Sequence, residues 1–487
     1  VIDGGEHASL SDTGDVSVIA ADVSSGRRAV ADVLNDHVAR HASSHGRLNA
    51  LVQPRHQQAA IEAGQKLHGP LAGVPVSVKE CFPVQGLRTT LGVPGLGTAP
   101  DPHDADIVTR LRAAGGIIVG KANVPQAMYL HETDNPVYGR TNHPLMADRG
   151  PGGSSGGDAA LVAAGVVPLA VGTDLAGSLR QPAHACGIAA IMPRSCVLGE
   201  GGAVDNLPSL RAMRPRAGFL ARHVADLELA LNAVAPSLIP SDLPVRRVGW
   251  WDTTGPIRAS AAVQRGVAEA VSRLHAAGIE PVPLDGALAD EAAWLHLAIL
   301  SADGGRDIKQ LLQGVTPMPG VKRLLGLAGV SQQIRPMISN VARLVGRRIE
   351  AEGLVRTGPR DAAGFAALLA ARDALLERFT RLVAGCDAIV CPVSALPALR
   401  HGTAARLILA AAPCLAANLF DLAAGAVPVT TVRPEEQTGR PWSIDPVVRA
   451  ARATDRGSAG LPVGVQVVAP PGRGEATVFS VMRLLEG

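Results

Sequence analysis

Between residues 73 and 180 the chain three times sets polar residues into glycine-rich backbone flanked by runs of Val, Ala and Leu. The stretches are Gly73-Val74-Pro75-Val76-Ser77-Val78-Lys79-Glu80, Pro151-Gly152-Gly153-Ser154-Ser155-Gly156-Gly157 and Gly172-Thr173-Asp174-Leu175-Ala176-Gly177-Ser178-Leu179-Arg180. Glycine reaches backbone conformations closed to other residues, and aliphatic flanks favour burial. This is the pattern of a buried site, so the fold has to bring short strands and tight turns to one place.

The rest of the pattern agrees. Val74 to Val78 reads as a buried strand ending at Lys79. Asp104 to Ala114 has an acidic start and apolar Ile107, Val108 and Leu111, and runs through Gly115-Gly116 into the strand Ile117-Ile118-Val119. The same alternation recurs at Val248 to Trp251 with a helix near 260–277, and at a helix near 362–384 followed by Ala388-Ile389-Val390. Gly464 to Val468 is one more buried strand. Upstream, residues 1 to about 23 read as a polar arm, Val30, Val33, Leu34 and Val38 mark a first helix, and a second is predicted at 54–66. The sum is an α/β fold around a mixed sheet. Length alone, at 487 residues, favours two cores.

A net charge of +3 and an aromatic content of 2% leave little for phosphate attraction or base stacking, which argues against nucleic acid. The six cysteines form no C-x-x-C pair and no disulfide scaffold, which points to a reducing, cytoplasmic setting. No apolar run approaches a spanning helix, and Val1 to Glu6 lack the order of a signal peptide, so the chain reads as soluble.

Ser178 follows Leu175-Ala176-Gly177, a turn of small residues that can aim successive N–H groups at one point, as an oxyanion hole requires. Lys79 closes an apolar strand, where an ammonium is poorly solvated and its pKa falls. Ser154 would sit between them as a proton relay. Taken singly, the glycine loop is a flexible loop or phosphate cradle, the lysine a solvated strand cap and the G-x-S a plain turn. Their joint occurrence in this order singles them out.

Together these residues resemble the amidase signature family. The resemblance implies a single large α/β/α domain with a mixed central β-sheet flanked by helices. It also implies hydrolysis of an amide without metal or cofactor. Residue by residue, it makes Ser178 the nucleophile, Ser154 the bridging serine on a cis peptide and Lys79 the base. Leu175, Ala176, Gly177 and Ser178 match its oxyanion backbone, and Ser155, Thr173, Asp174 and Arg180 its supporting positions, with Asp174 and Arg180 as an ion pair.

Segments such as Asn123 to Met128, Gly425 to Val432 and Gly460 to Gln466 are similar to the fatty acid amide hydrolase branch. In that likeness Met128 and Tyr129 fall on the acyl-channel wall; otherwise they are ordinary core. Ala176 stands where many members have Gly, and Ile191-Met192-Pro193-Arg194 replaces a stretch that commonly carries Lys and Thr. The division that follows is an arm and helices over 1–70 and a catalytic domain over 71–487, with a variable substrate and cap region at 200–350. The expected substrate is a small apolar acyl or aryl amide, with ester or carbamate as alternatives and a homodimer as a further partner reading. The rival functions are the amidase-like subunit of a tRNA-dependent amidotransferase and a binding protein without catalysis.

From Ile308 to Ile349 there are seven basic residues and no acidic one, and Ile334, Met337, Ile338, Val341, Leu344 and Val345 keep helical spacing. The favoured reading packs this apolar face on the core with the basic residues in water. The other lays 317–348 on an anionic bilayer as a peripheral contact. Gly320, Gly326, Gly329 and Pro336 interrupt any long helix.

Overall fold

Short runs of Val, Ile and Ala bounded by glycine and proline pair into one mixed sheet of eleven strands. The computed structural model describes residues 16–236 and 244–486. In chain order the strands are β1 (Leu51–Pro54), β2 (Pro75–Lys79), β3 (Ile117–Ala122), β4 (Leu169–Asp174), β5 (Ala189–Met192) and β6 (Arg216–Ala221). There follow β7 (Arg247–Trp250), β8 (Glu280–Pro283), β9 (Ala388–Pro392), β10 (Ala424–Thr431) and β11 (Pro462–Val468). Their spatial order is β1-β3-β2-β4-β6-β5-β10-β11-β9-β7-β8.

β3, β2 and β4 are parallel, as are β8, β7 and β9, and the other pairings are antiparallel. Every residue of β2, β3, β4 and β11 is buried. Strands covered on both faces read as continuous apolar runs, which is why the sequence marks them so clearly.

Helices flank the sheet. α1 (Val16–Ser24) buries Val16, Ile19 and Ala20, so the polar arm does not extend to residue 23. Residues 1–15 of that arm lie outside the described residues. α2 (Val30–Leu48) buries Val33 and Leu34 as its spacing predicts. α3 (His56–Ala63) is shorter than 54–66 because Pro54 still belongs to β1. α4 (Asp106–Ala113) leads into β3. All six cysteines are free thiols. No helix among the described residues is long and apolar enough to cross a membrane.

The region 306–356 forms four short helices, Arg306–Leu311, Pro319–Ala328, Arg335–Leu344 and Arg348–Arg356. The helical spacing holds, but the favoured facing is overturned. The Arg335–Leu344 helix buries Arg335, Ser339 and Ala342, while Ile334, Met337, Val341, Leu344 and Val345 are exposed, Leu344 at 87%. The reason is Arg335. Its buried guanidinium donates to the carbonyls of Leu327, Ala328, Val330 and Leu354, joining the ends of three helical segments. Orphan carbonyls at helix ends are strong acceptors for a cation, so the polar face turns inward and the apolar face outward.

Candidate active site

β2 and β4 are parallel neighbours in register, Val76 beside Leu169 through Val78 beside Val171. Their carboxyl ends therefore deliver Lys79 and Thr173-Asp174 side by side, the position where open α/β sheets gather functional groups. α5 (Gly156–Ala163) and α6 (Arg180–Cys186) start at the same edge, which brings Ser154, Ser155 and Ser178 to it.

Glycine is needed here for space. A Cβ at Gly157 would lie 2.4 Å from Asn123 N, and Gly177 combines φ +90° with a Cβ site 2.8 Å from Cys414 Cβ. The Gly153–Ser154 peptide is cis.

Lys79 is fully buried. Its Nζ lies 2.7 Å from Ser154 Oγ, 2.8 Å from Thr173 Oγ1 and 3.4 Å from Thr173 O. Burial lowers its pKa, and the nearby acidic groups of Cys81, Asp158 and Asp174 act in the other direction where they are ionised. As an ammonium the amine donates to all three oxygens; once deprotonated it can keep two N–H groups on Thr173 and turn its lone pair to the Ser154 hydroxyl.

Ser154 and Ser178 line the same cavity. No hydrogen bond joins their Oγ atoms; the two segments are tied instead by Ser155 N–H donating to Ser178 O at 3.2 Å. Ser155 Oγ donates to Thr173 O at 3.3 Å.

Asp174 and Arg180 form the expected ion pair, fully buried and bidentate, at 3.0 Å (Nη2 to Oδ1) and 3.1 Å (Nε to Oδ2). Burial alone would raise the Asp174 carboxyl, but the Arg180 charge and the bonds from Arg180, Asn418 and Leu179 hold it well below the usual range. The carboxylate also accepts from Gly177 N–H at 2.7 Å. Of the four backbone donors expected to face a developing oxyanion, Gly177 is thus already engaged. The N–H groups of Leu175, Ala176 and Ser178 have no partner among the described residues.

Sequence reasoning missed the groups that brace this turn. His131 Nε2 meets Ala176 O at 3.0 Å, and burial pushes its imidazole down to about 4, so it stays neutral and donates. Asn418 Nδ2 donates to Asp174 Oδ1 at 2.9 Å, and Gln466 Oε1 accepts from Arg180 at 2.9 Å. Asn418 and Gln466 lie more than 200 residues from Asp174 and Arg180, and His131 sits in no motif, so only Gln466, within a segment already singled out, carried any signal.

The cavity above the serines is lined mainly by apolar groups, including Met128, Tyr129, Leu175, Trp294, Leu297 and Leu324. Both predicted wall residues, Met128 and Tyr129, therefore lie on it. Its far side is formed by the Pro319–Ala328 and Arg348–Arg356 helices.

A mixed α/β sheet with a buried lysine, two serines and a braced turn at one strand edge defines a family. The amidase family profile matches residues 32–478. The chain belongs to the amidase family.

It is 31% identical over 440 residues to fatty acid amide hydrolase 1 of Caenorhabditis elegans, covering 86% of this chain and 76% of the relative. It is also 31% identical over 486 residues to a glutamyl-tRNA(Gln) amidotransferase subunit of Deinococcus radiodurans, covering 93% and 92%. In fold it is similar to a solved fatty acid amide hydrolase, with a TM-score of 0.82 at 18% identity over 97% of this chain and 85% of that one.

Proposed function

We propose that the chain hydrolyses the C–N bond of apolar acyl or aryl amides through Ser178, Ser154 and Lys79. Ser178 Oγ attacks the carbonyl, Ser154 passes the proton to Lys79 Nζ, and the oxyanion develops against the N–H groups of Leu175, Ala176 and Ser178. The same relay returns the proton to the leaving amine, and water resolves the acyl-enzyme. The observation that carries this reading is the 2.7 Å contact from the buried Lys79 amine to Ser154 Oγ, beside a cavity that also holds Ser178. The apolar wall supports the substrate class. A fluorophosphonate probe tests the nucleophile: labelling should fall on Ser178 and vanish in Ser178→Ala, and labelling elsewhere would overturn the assignment.

The amidotransferase relative supports a second reading, a complex-bound ammonia donor. Hydrolysis of simple amides by the purified chain, without glutamine or any partner protein, would decide against it.

The cap carries a finer proposal. Exposed Met337, Val341, Leu344 and Val345 are joined by exposed Trp442 and Ile444, the latter where a Cβ on Gly346 would meet it. Exposed Lys322, Arg343 and Arg348 belong to the same region. Apolar side chains with a tryptophan and basic neighbours suit an anionic lipid surface. Flotation with anionic vesicles tests it; a chain that stays unbound and instead sediments as a dimer would assign the face to a second copy.

A further inference from the structure

One buried acid at this edge has no part in the proton relay. Asp158 sits in the first turn of α5, four residues after Ser154, and is fully buried. Its Oδ1 accepts from Ser77 Oγ at 3.0 Å, and its Oδ2 has no partner among the described residues. Ser77 and Lys79 are two residues apart on β2, so their side chains leave the strand on the same face. The carboxyl thus lies beside the root of the Lys79 side chain with one oxygen uncommitted. A carboxylate without a cation is costly to bury, and no proton of the relay passes through it.

The other charges near Lys79 are matched or absent. Asp174 is paired with Arg180. Burial pushes the Cys81 thiol up to about 11, so it is neutral. His131 is neutral and committed to Ala176 O. Among the elements packed on α5, α6 contributes Arg180 and His184, whose Nδ1 accepts from Gly464 N–H and whose Nε2 donates to Leu396 O. β6 contributes Arg216, which pairs with Asp421. β1 contributes no titratable group. Glu80 is held by Thr90 and Leu91 and its field is opposed by Lys121.

We propose that Asp158 is a positioning residue for the amide reaction, the counter-charge that stabilises the Lys79 ammonium formed when the base takes the serine proton. The proton moves from Ser178 to Ser154 and from Ser154 to Nζ; none moves to Asp158, which acts only through its field. Burial raises its carboxyl to about 7, with Ser77 and Lys79 opposing, so its charge changes in the range where the base must work. The inference rests on Lys79 being the base.

The test is the pH profile of kcat/KM on a p-nitroanilide and of fluorophosphonate labelling. Asp158→Asn keeps size and the Ser77 contact but removes the charge, so Lys79 should lose its proton more easily. The acid limb should move to lower pH by about one unit or more, with a lower plateau because a weaker base takes the proton. Asp158→Glu should return the limb toward wild type. Ser77→Ala deletes only the hydroxyl that donates to Asp158 and should move the limb in the same direction by less. A limb that stays in place in both Asp158→Asn and Ser77→Ala, whatever happens to the plateau, overturns the inference. If Lys79→Ala keeps amide hydrolysis, the relay itself fails; if Lys79→Ala is inactive and the limb is unmoved, only the Asp158 role fails.

Discussion

The floor of the cavity and the cap across from it both contain a buried arginine, and the two are satisfied in opposite ways. Arg180 meets a carboxylate and fixes the turn around Ser178. Arg335 meets carbonyls and the Thr357 hydroxyl but no carboxylate among the described residues, and burial lowers its pKa to about 10. The turn around Ser178 is consequently braced by a matched pair of charges. The cap is a set of short helices joined by the Arg335 contacts, by Glu350 pairing with Arg323 and Arg347, and by buried Val321, Leu325, Ala351 and Leu354, with one apolar face in water. The difference teaches where chemistry and where access reside: charge pairing beside the reacting atoms, and a wall of short helices beside an exposed apolar surface.

The largest effect should come from the floor. Lys79→Ala removes the proposed base and with it the returned proton, and amide cleavage should fall by about 10^2- to 10^4-fold. Ester cleavage should fall less, because an alkoxide or phenolate leaves with less help than an amine. Matched p-nitroanilide and p-nitrophenyl ester substrates give the ratio; equal losses would break the relay.

Next is the Asp174–Arg180 pair. Arg180→Met leaves a buried carboxylate without its counter-charge and should cost about 3–5 kcal/mol, read from the denaturant midpoint. The pH sign follows from the depressed folded value of Asp174. The pair's contribution is complete above the ordinary carboxylate pKa near 3.8 and is lost as pH falls below it, through the folded value. In Arg180→Met that acid-side loss should be absent.

Arg335→Met strips the cation from four carbonyls without leaving a charge behind. A hydrogen bond to a charged group is worth about 1.5–3 kcal/mol, and the loss should be local to the cap. Hydrogen exchange in 319–356 should accelerate while the strands around Lys79 keep their protection. Loss of protection at both would mean that floor and cap form one cooperative unit.

The two regions also differ in how legible they were. At the floor, each glycine answers a local demand for space, and each strand is buried on both faces, so residue type and order marked Lys79, Ser154 and Ser178 directly. The braces were hidden because His131, Asn418 and Gln466 reach the turn only through the sheet's crossovers. Gly177 misled for a related reason: a donor's place in the motif does not reveal that Asp174 turns back onto it. In the cap, helical spacing gave the helix but not its facing, because periodicity states which residues share a side and not what lies opposite. Arg335 decided that, through carbonyls from segments that no spacing rule connects.

The smallest effect should fall on the exposed face of the cap. Leu344 and Met337 are 87% and 62% exposed, so Leu344→Glu and Met337→Glu remove almost no packing and should change stability by less than about 0.5 kcal/mol. Hydrolysis of a short soluble anilide should be unchanged, since neither residue lines the cavity. Flotation with anionic vesicles should drop, as each new carboxylate both loses apolar contact and repels the lipid charge. A stability loss well above that limit in the isolated chain at low concentration would mean the face is covered in the monomer. A loss that appears only as concentration rises would mean a second copy covers it. Either result would erase the contrast between a closed floor and an open cap.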